Sequence, residues 1–106
     1  MSVTLRFTLI KQARLPELRF LTPRRGPLSK AGAAGYFATT AHGPDLFVNA
    51  QNAVRYMIDH VARHYKMTRE QAYCLCGAAV DLKISEIVDA PNWIVSAYLP
   101  LAIFKR

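Results

Sequence analysis

The chain has 106 residues, 52% of them hydrophobic and 20% charged, with a formal net charge of +7. That length gives one domain with a modest core, and the composition excludes a disordered tail, which would hold too few apolar residues to offset the entropy of ordering. The longest apolar stretch, Ile94 to Phe104, is broken by Ser96 and Pro100 and falls short of the roughly 20 residues that cross a bilayer, so no membrane span is expected.

The opening residues, Met1-Ser2-Val3-Thr4-Leu5-Arg6, lack the basic region and continuous apolar block of a secretory leader. A cytoplasmic protein is therefore expected. Val3, Leu5, Phe7 and Leu9 alternate with Thr4, Arg6 and Thr8, a period of two that predicts a strand with one buried and one wet face. Leu18 to Leu21 predicts a short second strand ended by Pro23, and the Pro, Gly, Ser and basic residues from Pro23 to Gly35 predict a loop. Tyr36 to Thr40 suits a third strand, stopped by Gly43-Pro44.

From Asp45 the period changes. Leu46, Ala50, Ala53, Val54, Met57, Ile58, Val61 and Tyr65 recur at spacings of three and four, with Asn49, Asn52, Arg55, Asp59 and Arg63 read as lying mostly off this stripe. Asp45 suits the N-terminal cap, and Lys66-Met67 closes the helix. Thr68-Arg69-Glu70-Gln71 has the form of a capping box, predicting a second helix to about Ala79 that packs on the first as a hairpin. Val80, Leu82 and Ile84 alternate with Asp81, Lys83 and Ser85, predicting an extended segment. Ala90-Pro91-Asn92 turns the chain. Trp93 to Leu99 is apolar on both faces and predicts a strand covered on both sides. The expected fold is α+β, a small mixed sheet with a two-helix hairpin packed on it, in a single domain over residues 1–106.

Cys74 and Cys76 stand two apart in a helical pattern, so they point to different faces and read as buried or half-buried free thiols, suited to a reducing compartment. Basic residues crowd the first thirty positions, as Arg6, Lys11, Arg14, Arg19, Arg24, Arg25 and Lys30 against Glu17 alone. Such a surface could meet nucleic acid phosphates. The charges are dispersed and come without a reader motif, so a solvated face or an acidic protein partner is the preferred reading.

Few residues have the spacing that chemistry requires. His60 and His64 are four apart and can share a helix face, the spacing of two metal ligands, but they come without a nearby third; solvent-facing histidines are expected. Asp81, Lys83 and Glu86 are the candidates for acid, base or electrostatic roles. Asp81 can pair with Lys83 or another basic residue, or brace a backbone turn. Trp93, Tyr98 and Phe104 read as core or interface aromatics. An apolar last strand followed by the tail Leu101 to Phe104 predicts self-association or a partner chain.

A set of short runs carries a family resemblance: Gly35-Tyr36, Thr39-Thr40, Pro44-Asp45-Leu46, Asn52-Ala53-Val54-Arg55 with Met57-Ile58-Asp59, Glu70-Gln71-Ala72-Tyr73, Asp81-Leu82-Lys83-Ile84-Ser85, Val88-Asp89-Ala90-Pro91-Asn92, Leu99-Pro100 and Ile103-Phe104. In this order they resemble the C-terminal region of the formamidase/acetamidase family of amide hydrolases, with a weaker likeness over Val3 to Thr22. The resemblance implies a metal-associated amidase that converts a short linear amide and water to a carboxylic acid and ammonia. In similar proteins the acidic and histidine-rich motifs belong to a preceding N-terminal region, and a divalent metal such as zinc or calcium would belong to the complete enzyme. The chain is therefore expected to be a scaffold or oligomerisation portion, inactive alone or half of a split enzyme, as a homo-oligomer or with a complementary N-terminal amidase chain. The alternative is a stand-alone basic module that binds an acidic protein or nucleic acid.

Overall fold

In a computed structural model, which describes residues 2–9, 11, 15–22, 34–88 and 92–104, the elements run β1 (Arg19–Leu21), β2 (Tyr36–Gly43), α1 (Leu46–His64), α2 (Arg69–Ala79), β3 (Asp81–Glu86) and β4 (Trp93–Pro100). A 3-10 turn over Leu101–Ile103 follows. Both helices begin where their local signals place them. Asp45 accepts from the backbone N–H groups of Phe47 and Val48, offsetting two of the donors a helix start leaves unpaired. Thr68 and Gln71 complete both halves of the capping box. Between the helices Lys66 turns the chain with a positive φ of 54°.

The strands form one sheet in the order β1-β2-β4-β3. The α+β class and the helical hairpin are as expected. The sheet, expected to be mixed, pairs antiparallel at each of its three ladders. β2 and β3 run the same way, but β4 lies between them and opposes both.

One sheet face packs on the helices. Phe37 and Ala41 of β2 and Ala97 and Leu99 of β4 meet Ala53, Met57, Ile58 and Val61 of α1, with Ala72 and Cys76 of α2 at the flank. The Thr39 hydroxyl donates to the Ala53 carbonyl at 2.8 Å, fastening α1 to the middle of the sheet. The other face is built of polar and aromatic side chains. Ala38 pairs with both Phe20 and Tyr98, and its small side chain lets the two rings meet edge to face at 5.7 Å above it. Ser85 and Ser96 share a 2.6 Å hydroxyl hydrogen bond there, and Lys83 places its ammonium 4.4 Å from the Tyr98 ring centroid.

Two expectations change. The strand expected at Val3 to Leu9 belongs to no ladder among the described residues, and Val3, Leu5, Phe7 and Leu9 are 70%, 69%, 88% and 80% exposed. Alternation fixes which side chains share a face, but a strand also needs an edge to pair with. Asn49, placed off the apolar stripe, is 2% exposed. It stands three residues after Leu46 and four before Ala53, so helix geometry carries it onto the stripe. The tail after β4 folds back on the domain: Phe104 stacks on Tyr65 at 3.8 Å with the rings 5° from parallel. The Ala90-Pro91 turn lies outside the described residues.

Candidate functional site

α1 and the β1 edge of the sheet enclose an open cleft of about 630 Å³. Tyr56, Asp59, His60, Arg63 and His64 recur at three and four residues along α1, which places them on one flank of the helix. Glu17 and Arg19 approach from the β1 side, and Thr39 and Thr40 form the floor. Two hydrogen bonds hold the β1 side in place, from the Thr40 hydroxyl to the Leu18 carbonyl at 2.6 Å and from the Thr40 N–H to the same carbonyl at 3.2 Å.

His60 was expected to face solvent. Its ring instead stacks on Phe37 at 3.7 Å and lies 5.2 Å from the His64 ring. Burial, and then the nearby His64 and Arg19 charges, lower its pKa to about 4, so the imidazole is neutral at pH 7 and a poor proton acceptor. Both carboxylates of the cleft are engaged at its rim. Glu17 pairs with His42 at 2.8 Å, and Asp59 pairs with Arg69 across the α1–α2 hairpin. Arg19 and Arg63 make no ion pair among the described residues; Arg19 lies 5.6 Å from the Phe37 ring centroid. Among the described residues the cleft thus offers cationic and neutral donors, suited to holding an anionic or carbonyl oxygen, and no activated nucleophile.

His60 and His64 do share a helix face, as their spacing predicted. Their rings are stacked within 17° of parallel, whereas two ligands of one metal must direct ring nitrogens to a common point. Among the described residues no group of three His, Cys, Asp or Glu could hold a metal ion. These residues do not fit a metal site.

Asp81, Lys83 and Glu86 lie on β3, at the opposite edge of the sheet from β1. Three strand spacings, about 14 Å, separate that edge from β1, and Lys83 turns toward the face away from the helices. The structure therefore does not bring them together with the histidines. Asp81 makes no salt bridge with Lys83. Trp93 starts β4 opposite Gly43, Tyr98 sits on the face remote from the helices, and Phe104 caps Tyr65. Cys76 is buried, which pushes its thiol pKa up to about 11, and Cys74, read as at least half-buried, is exposed because it points away from the core flank of α2.

Sequence reasoning missed two features. Arg19, Glu17 and Tyr56 line the cleft only because β1 pairs with β2 beside α1, a long-range relation that no local spacing encodes. Asn49 donates to the Gly43 carbonyl and to the Trp93 carbonyl, each at 3.0 Å. Its position on the apolar stripe was the signal that could have found it.

A family model described as the Acetamidase/Formamidase family matches residues 1–106. No curated protein and no solved structure matches the chain.

Proposed function

We propose, from the premise that this chain belongs to the acetamidase/formamidase family, that it is the scaffold and assembly portion of an amide hydrolase acting in the cytoplasm on short linear amides. In that reaction the amide carbon–nitrogen bond is cleaved by water to give a carboxylic acid and ammonia. The observation that carries the reading is the family match over the whole described fold, set beside a cleft whose carboxylates are already paired and whose central histidine is neutral. Amide hydrolysis needs an attacking group, an acid for the leaving amine and donors for the oxyanion. The cleft supplies donors. Attack and proton transfer would come from the catalytic portion of the amidase, outside these 106 residues and available to an assay as a partner chain. Ammonia release from formamide and acetamide, measured with this chain alone and with such a partner, tests the reading.

A further inference from the structure

The seven residues Val3 to Leu9 carry apolar side chains at every second position, and all lie exposed and unpaired among the described residues. At the far edge of the sheet β3 is paired on one side only among the described residues, with β4. Leu82 and Ile84, on its helix-side face, are 50% and 59% exposed. An open strand edge beside an exposed apolar row is a template for another strand.

We infer that the Val3 to Leu9 arm of one copy of this chain pairs with the β3 edge of a second copy, adding a fifth strand to its sheet. Val3 to Arg6 can lie beside four of the six residues of β3, Ile84 to Asp81, and the match is in pattern. With Leu5 and Val3 beside Leu82 and Ile84, the alternate residues Thr4 and Arg6 fall on the face of Lys83 and Asp81. Charge agrees with pattern: in this register Arg6 stands opposite Asp81, and Thr4 rather than a second cation stands opposite Lys83. The irregularity between Ile84 and Glu86 ends the pairing where the arm's apolar row ends.

Within one copy the arm does not lie on this edge: Val3 to Leu9 belong to no ladder among the described residues and are exposed. Glu17 and Leu18 are fastened to β2 by the Glu17–His42 and Thr40 hydrogen bonds, so the arm leaves from the β1 side. A second copy presents the same edge, and reciprocal exchange closes a two-fold dimer. This deepens the assembly part of the proposed function and rests on it.

The test is sedimentation equilibrium on the full chain and its variants, with hydrogen exchange of the β3 amides. The expected result is a dimer whose β3 amides gain protection as the dimer forms. Leu5→Asp with Phe7→Asp should return it to a folded monomer. Arg6→Asp or Asp81→Arg alone should raise the dimer Kd by roughly tenfold through like charges across the pair, and the two together should restore it. A folded monomer at high micromolar concentration, or a dimer indifferent to the arm substitutions, overturns the inference. The readout is mass and exchange rather than ammonia, so its failure leaves the amidase reading to be judged on its own assay.

Discussion

Asn49, in the first turns of α1, donates a side-chain hydrogen bond to the Trp93 carbonyl at 3.0 Å, across a sequence separation of 44 residues. The same amide nitrogen donates to Gly43 at 3.0 Å, so one buried group ties the end of β2, the start of β4 and the helix together. Asn49→Ala would leave two carbonyls without this donor, at a cost of about 1–3 kcal/mol. Gly43 bears on the same contact, because its φ is 155° and an added Cβ would lie 3.0 Å from Asn49 Oδ1. Gly43→Ala should destabilise by a similar amount. Urea titration of both variants checks this, and unchanged midpoints would refute the bridging role.

Met57 is fully buried and Arg55 is exposed, with a 3.3 Å hydrogen bond to Asn52. Met57→Ala should therefore cost about 2–5 kcal/mol, and Arg55→Ala less than about 1 kcal/mol. Equal losses in a denaturant titration would contradict the orientation of α1.

These two helical predictions rest on information that lies close together in the chain. Asp45 caps the residues beside it, Thr68 and Gln71 bond each other three positions apart, and the stripe through Ala53, Met57 and Val61 needs only helix geometry. All three were legible in the sequence. Val3 to Leu9 was legible as a pattern but not as a structure, because alternation names faces and leaves the partner edge unspecified. The cleft was the least legible part. His60 reads as an exposed helix residue until β2 supplies Phe37 beneath it and β1 brings Arg19 near.

The lowered pKa of His60 makes stability depend on pH. With a folded value of about 4 against 6.5 unfolded, the unfolded chain binds more protons between these values, so stability is greatest above pH 6.5 and declines as pH falls toward 4. The half-exposed ring is screened by solvent, which reduces the contribution to about 1–2 kcal/mol. His60→Phe should flatten stability over this window in urea titrations at stepped pH. An unaltered slope would place the effect elsewhere.

Cys74 is exposed and Cys76 buried with its thiol pKa raised to about 11, and the reactive species is the thiolate. Iodoacetamide at neutral pH should label Cys74 in the native protein and reach Cys76 only on unfolding. Mass spectrometry of the labelled peptides distinguishes the two sites, and equal labelling rates would contradict the burial of Cys76.

The central claim is that this chain supplies scaffold and assembly to an amidase whose attacking and proton-transferring groups lie outside these 106 residues. Ammonia release from formamide and acetamide tests it most directly, with the purified chain alone and mixed with the catalytic amidase portion. The account predicts background release from the chain alone and hydrolysis from the mixture, with acid and ammonia in equal amounts. Turnover by the chain alone, lost on Asp81→Ala, would contradict it, as would a mixture that forms a complex and hydrolyses neither amide.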